Sequence, residues 1–207
     1  MLKLHQGTTL GMAMILSGCV TGAIPNMSTV AFFLAPAHMT PALPAMRWDH
    51  REEADEWTAA TIAAVAAYDT ELAASVPDDI ATLCPGYAKA DIDDRRAFWS
   101  GLLSAVAKYE SSWNPSASGG GGRYLGLMQI SPKTAVNYGC DATSAAALKD
   151  GTENLSCAVD ILAYQVGRDD VVAGNGKKGI GRDWRPLRSA SKRAEIAGWT
   201  SSQAYCQ

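Results

Sequence analysis

The sequence predicts a mainly α-helical domain, and three observations carry that expectation. Apolar residues recur every three or four positions in several stretches, the period of one helix face. Alanine-rich segments with spaced aromatics favour helix over sheet. Helix-start chemistry stands at Asp91–Asp94 and again at Ser131-Pro132. The first 47 residues read as leader and tether, which leaves about 160 residues, enough for one domain with its own core. The formal net charge of -3 gives no support for a nucleic-acid partner, which calls for a basic excess.

In chain order, the first element is an address. Lys3 and His5 precede a short apolar run from Leu10 to Leu16, too short for a permanent membrane helix of roughly 20 residues. It reads as a signal peptide over residues 1–18. The run ends in Leu16-Ser17-Gly18-Cys19, which resembles the lipobox of bacterial lipoproteins. That resemblance implies a lipid anchor on Cys19, and Val20 after it implies sorting to the periplasmic face of the outer membrane. Residues 19–47, with Pro25, Pro36, Pro41 and Pro44 and few charges, read as a flexible tether. The domain is expected over residues 48–207.

Trp48 to Leu72 reads as a helix, with Trp57, Thr61, Val65, Tyr68 and Leu72 at helical spacing opposite Glu52, Glu53 and Glu56. Pro77 and Pro85 bracket a turn-rich connection. A second helix starts at Asp91–Asp94, where acidic side chains suit the positive end of the dipole. It carries Phe98, Leu102, Ala105, Val106 and Tyr109 on one face and runs into Glu110. Asn114-Pro115 is the expected stop, because a residue before proline avoids helical angles. Gly119 to Gly122 is expected as a flexible loop, and Ser131-Pro132 as the start of a third helix. Asn154 to Val166 forms a fourth, with Leu155, Val159, Leu162 and Val166 inward. After Gly167 the pattern weakens into a glycine-rich, basic segment before a last helix around Arg188 to Ile196.

With Cys19 set aside, Cys84, Cys140, Cys157 and Cys206 remain. An even number in an exported chain implies disulfides, and three pairings are possible. Loop economy favours Cys140–Cys157 and Cys84–Cys206. No CxxC and no neighbouring histidine supports a metal site, so none is expected. The three histidines are His5, His38 and His50, and none follows. A Ser-His-Asp triad, a Cys-His peptidase and a histidine-liganded zinc amidase are therefore excluded from the domain beyond His50. Nor is the glycine run a phosphate loop, since no Gly-Lys-Ser/Thr follows it. Carboxylates, hydroxyls, amides and aromatics remain, an inventory suited to sugar cleavage.

Glu110 stands at the end of an apolar helix face, beside Tyr109 and three residues before Trp113. A carboxyl in apolar surroundings keeps its proton towards neutral pH and can donate it to a glycosidic oxygen. The run Glu110-Ser111-Ser112-Trp113-Asn114-Pro115, then Gly126-Leu127-Met128-Gln129-Ile130 and Ser131-Pro132-Lys133-Thr134-Ala135, resembles the catalytic core of the soluble lytic transglycosylases (SLT type). Asn154-Leu155, Ala158 and Tyr164 resemble that family's third block, an asparagine followed by a helix with a buried tyrosine. The likeness spans Ala105 to Val166 in the family's order.

The resemblance implies the lysozyme-like helical fold shared with goose-type lysozyme, a peptidoglycan glycan strand as partner, no cofactor and a monomer. Glu110 becomes the sole catalytic carboxylate, acid first and base second, cleaving the MurNAc-GlcNAc β-1,4 bond to a 1,6-anhydromuramic end. Ser111 steadies the helix end, and Ser118 contacts substrate. Gly126 permits close approach to the sugar, Met128 and Gln129 line the subsite floor, and Tyr164 belongs to the substrate site. A hydrolytic muramidase is the enzymatic alternative, with Asp141, Asp160 and Asp169 as candidate second carboxylates, and a non-catalytic peptidoglycan-binding lipoprotein is the other. The family's Tyr-Asn-x-Gly segment is missing: Val172-Ala173-Gly174-Asn175-Gly176 stands there, and Trp184 or Tyr164 is the candidate replacement. Between Lys177 and Arg193 lie seven basic residues, either a solvated face or a contact for anionic groups.

Overall fold

The structure, a computed structural model, describes residues 42–207. The leader, Cys19 and the tether up to residue 41 lie outside the described residues. The chain is mainly helical, as expected: α1 (Ala54–Ala66), α2 (Ile80–Leu83), α3 (Ile92–Glu110), α4 (Pro132–Tyr138), α5 (Gly151–Asp169) and α6 (Ala190–Ser201), with a small antiparallel hairpin of β1 (Ser118–Gly119) and β2 (Tyr124–Leu125) between α3 and α4. Short 3-10 turns fill the connections. Among the described residues no helix is long and apolar enough to cross a membrane.

The middle of the fold is α3. Asp91 caps it as its position suggests, accepting from the backbone N–H groups of Asp93 (3.0 Å) and Asp94 (2.9 Å). One apolar face is too modest a description, however. Every residue from Ala97 to Ala107 is buried, the pattern of a helix enclosed on all sides. α1, α6 and the C-terminal turn Ala204–Cys206 pack against it, and α1 also packs on α5. A side chain at Gly101 would run into the Tyr205 hydroxyl, so glycine is what lets the C-terminal turn come this close. Trp99 donates to the Tyr87 hydroxyl at 2.9 Å, and Tyr87, Phe98 and Trp99 meet edge-on.

The first helix is shorter than its periodicity suggests. Residues 47–53 and 67–74 are turns and bends flanking α1, although Trp57, Thr61, Val65 and Leu72 are buried as read. Trp48 enters the core from the leading turn, edge-on to Trp57 at 5.9 Å and donating to Thr58 Oγ1 at 2.9 Å. The packed domain also starts earlier than residue 48. Met46 is buried, and the Arg47 N–H donates to Ser104 Oγ at 3.0 Å. α5 likewise extends beyond Asn154–Val166, capped by Asp150 through the N–H groups of Thr152 and Glu153.

Both expected disulfides form. Cys140–Cys157 ties the end of the α4 connection to α5, and Cys84–Cys206 joins the end of α2 to the C-terminal turn, 122 residues away. In the chain-entropy model a closure of that span stabilises by about 4–5 kcal/mol, against roughly 3 kcal/mol for a short loop. Replacing Cys84 and Cys206 together by alanine should lower the denaturant midpoint far more than replacing Cys140 and Cys157. Equilibrium urea unfolding of the two double variants measures the difference, and equal midpoints contradict the ranking. Asp160 lies beside Cys140 and Cys157, but those sulfurs are bonded to each other and offer no thiolate.

The basic segment after α5 is a run of 3-10 turns held by two carboxylates. Asp79 accepts from three successive backbone N–H groups, those of Val172, Ala173 and Gly174, at 2.5, 3.0 and 2.9 Å. Asp169 accepts from the Gly179 N–H at 2.7 Å and from the Arg182 guanidinium at 2.9 Å. Successive N–H groups converging on one anion form a local positive nest. That nest fixes a segment with little apolar pattern of its own, and it becomes one wall of the groove described next.

Candidate active site

Glu110 is the last residue of α3, and the helix ends there before Asn114-Pro115 is reached. Ser111 is the C-cap, and Ser112 and Trp113 follow in the left-handed region at φ 53° and 57°. Two consecutive side-chain-bearing residues in that region cost on the order of 1–2 kcal/mol each. Trp113 supplies the compensation. Its indole folds back to donate to the Ser104 carbonyl at 2.8 Å and meets His50 edge-on at 4.7 Å. Ser111 makes a long bond of 3.4 Å to the Ala107 carbonyl, in keeping with a helix-end role.

The other side of this helix end is clamped. Glu195 of α6 accepts from the Tyr109 hydroxyl at 2.7 Å and Lys108 Nζ at 2.9 Å, and pairs with Arg47. Those donors, Arg47 first, hold the Glu195 carboxyl well below the usual range. The residue just before Glu110 is thereby fixed by a charged network in which Glu110 takes no part.

Glu110 opens onto a groove of about 650 Å³. One wall is the hairpin with Gln129, the other the segment from Arg182 to Arg188. Residues 119–122, expected as a flexible loop, form the hairpin's end: Ser118 pairs with Leu125 and Gly119 with Tyr124, and Gly120, Gly121 and Gly122 turn the chain at φ between 56° and 87°. Burial pushes the Glu110 carboxyl up to about 7, against the smaller opposing pull of the Lys192 and Arg185 charges. It is the half-neutralised acid that its apolar helix face suggested.

The Gly126–Gln129 segment is fixed from behind by Asn154, which is fully buried. Asn154 Nδ2 donates to the carbonyls of Leu125 (3.1 Å) and Leu148 (2.9 Å), and Oδ1 accepts from the Met128 N–H (2.8 Å). Trp184 adds a fourth tie, its indole N–H donating to the Met128 carbonyl at 3.0 Å.

Several expected site residues are not where the resemblance puts them. Met128 does not line the floor. Its side chain is fully buried in the core, because positive φ at Gly126 and Gln129 turns Gln129 to the groove and Met128 away. Gly126 is buried too, and a side chain there would collide with the Leu148 carbonyl and the Asn154 amide. Its glycine serves packing rather than the sugar. Ser118 is exposed on β1, and Gly119 and Gly120 line the groove in its stead. Tyr164 is 58% exposed, lies edge-on to Tyr138 at 5.4 Å and lines a separate hollow with Asp160. Of the two candidates for the missing tyrosine's place, Trp184 is the one in the groove.

The three proposed second carboxylates are absent from the groove lining. Asp160 accepts from the Tyr68 hydroxyl at 2.9 Å, Asp169 is paired with Arg168 and Arg182, and Asp141 lines another hollow. The acid that does line it is Asp183, which sequence reasoning missed. Asp183 accepts from Gln165 Nε2 at 2.5 Å and from the Tyr138 hydroxyl at 3.3 Å, while burial raises its carboxyl above the usual value. Nothing local marks it, since its partners come from α4 and α5.

The transglycosylase SLT domain family model matches residues 89–195, and the chain belongs to that family. Among solved structures it is similar to Bd0314 DslA. A glutamate-to-glutamine mutant of that protein superimposes with a TM-score of 0.73 at 28% identity, over 80% of this chain and 100% of that one. The wild-type form 2 gives 0.71 at 27%, and a second glutamate-to-glutamine mutant 0.70 at 26%, with the same coverage. No curated protein matches the chain.

Proposed function

We propose that the domain is a peptidoglycan lytic transglycosylase in which Glu110 acts alone, first protonating the glycosidic oxygen between MurNAc and GlcNAc and then accepting the proton of the muramyl C6 hydroxyl. Attack of that hydroxyl on the anomeric carbon closes a 1,6-anhydro ring and consumes no water. The observation that carries the reading is the half-buried Glu110 facing an open groove with its carboxyl raised to about 7, the protonation range a general acid needs. Family membership gives the substrate class. The floor residue Gln129, anchored by its Nε2 to the Gly126 carbonyl at 3.0 Å, directs its amide oxygen towards Gly119 at the groove edge, where sugar hydroxyl and N-acetyl groups pass.

A hydrolytic muramidase is favoured by one observation, the presence of Asp183 in the same groove. Ordinary inverting and retaining enzymes use a second carboxylate as base or nucleophile. Asp183 is already engaged by Gln165 and Tyr138, which supports a structural part for it. Mass spectrometry of digested sacculi separates the two. Anhydro ends are expected, and they persist in Asp183→Asn. Reducing ends, one water heavier and lost in that variant, reject the single-carboxylate mechanism.

The chain is further proposed to act outside the cytoplasm, lipid-anchored through Cys19 at the periplasmic face of the outer membrane. Two disulfides support an oxidising compartment. Metabolic labelling with a palmitate analogue tests it: label is expected in the full chain and not in Cys19→Ala.

A further inference from the structure

The chain as a whole is acidic, at -3, yet its groove is rimmed by Arg123, Arg182, Arg185 and Arg188. Two of the four are structural. Arg182 is paired with Asp169, and Arg188 donates to the carbonyls of Gly181, at 2.9 Å, and Arg182. The other two differ. Among the described residues the guanidinium groups of Arg123 and Arg185 have no carboxylate within salt-bridge distance. They stand on facing walls, Arg123 next to Tyr124 at the start of β2 and Arg185 on the anchored 3-10 segment, and both are exposed.

Arg185 also carries a cost. Its charge favours the ionised form of Glu110, the wrong form for an acid, so its place beside the acid calls for a benefit elsewhere. An unpaired guanidinium offers a planar fork of donors that fits a carboxylate bidentately. The sugars of a glycan strand are neutral apart from the carboxylates that muramyl residues bear, either on stem peptides or on the bare lactyl group.

We propose that Arg123 and Arg185 form a carboxylate-recognition pair that selects glycan strands with anionic muramyl groups over neutral ones. The proposal rests on the reading of the groove as a peptidoglycan site. Because the two arginines share the groove with Glu110, a strand bound for cleavage is their fitting partner, and a membrane surface is not.

Binding tests it without relying on turnover, in a Glu110→Gln background that leaves strands intact. Three substrates are compared: untreated sacculi, sacculi with carboxylates blocked as methylamides, and strands stripped of stem peptides so that lactyl carboxylates are free. Blocking should weaken binding about tenfold. Arg123→Gln and Arg185→Gln should each weaken binding to untreated sacculi about three- to tenfold, and the double variant should bind blocked and untreated material alike. Stripped strands that bind like untreated ones show that a freed lactyl carboxylate can take the place of those on the stem peptide; stripped strands that bind like blocked ones restrict recognition to the stem peptide. The proposal is overturned if the parent does not discriminate, or if the double variant still does. It is equally overturned if the substitutions weaken only binding to phosphatidylglycerol vesicles. Since both side chains are exposed, unchanged thermal midpoints confirm that the variants are folded. Absence of cleavage products from the wild-type chain defeats the catalytic reading itself, a separate result from a loss of discrimination.

Discussion

Glu110→Gln should abolish release of soluble muropeptides from sacculi, a loss of about 10²–10⁴-fold for removal of a general acid, while making the protein more stable at neutral pH. The two effects share one cause. Burial favours the neutral carboxyl, raising it from 4.5 to about 7. A carboxylic acid whose value is raised in the folded state is bound to its proton more tightly there than in the unfolded chain. Stability therefore falls as pH climbs from about 4.5 to 7, where the folded protein must either hold a desolvated charge or keep a proton that the unfolded chain releases. Glutamine carries no charge and escapes that cost. Above pH 7 the variant should be more stable by about 2 kcal/mol, after discounting for the partly exposed carboxyl, and below pH 4.5 the gain should vanish. Thermal midpoints of both forms across that window provide the measurement. A stability difference that does not depend on pH contradicts burial as the cause, and retained cleavage removes Glu110 from the mechanism. Wild-type activity should also fall as pH rises above about 7, as the acid loses its proton.

Asn154→Ala has the largest expected structural effect of any single change at the groove. It strands the Met128 N–H and the Leu148 carbonyl inside the protein and removes one of the two bonds to the Leu125 carbonyl, which keeps the Ile130 N–H at 2.9 Å. Each buried polar group left unsatisfied costs about 1–3 kcal/mol, so a total of about 2–5 kcal/mol is expected for the two. Asn154→Asp retains the acceptor for Met128 but loses both donated bonds and adds a buried charge, and should do no better. Because those bonds set the Gly126–Gln129 backbone, cleavage should fall more than the unfolded fraction explains. Chemical denaturation combined with activity per folded molecule tests this; activity that follows folded fraction alone shows that Asn154 supports the fold and not the groove.

Much of this was legible in the sequence because the signals were local. Asp91 and Ser131 cap their helices through side-chain oxygens, Ser131 accepting from the Thr134 N–H at 3.0 Å. Four cysteines paired as loop economy favoured, and Glu110 sat at the end of an apolar helix. Met128 was misplaced because a left-handed residue breaks the alternation that a motif read as a line of letters assumes. Tyr164 had a local warning that the family likeness overrode: two residues along a helix are 200° apart, so a residue between Leu162 and Val166 on that helix points away from their buried face. Asp183 could not be read, since what gives it meaning is contact with Gln165 and Tyr138, 18 and 45 residues away in sequence. Trp184 was legible only as one of two candidates, and its place in the groove and its tie to Met128, 56 residues away, separate it from Tyr164.

The nesting of the two disulfides, with Cys140–Cys157 inside the span of Cys84–Cys206, bears on how the protein matures. A chain that meets an oxidant while it is still being threaded through a membrane presents Cys84 first and Cys140 next, and the first pair to hand is not the native one. Bonding in order of arrival traps Cys84 on the wrong partner, and thiol–disulfide exchange must then release it. For a chain exported as proposed above, correct maturation is therefore expected to depend on a disulfide-shuffling catalyst as well as an oxidant. A host lacking the shuffling activity should accumulate the Cys84–Cys140 isomer, with Cys157 and Cys206 left to each other or to other thiols.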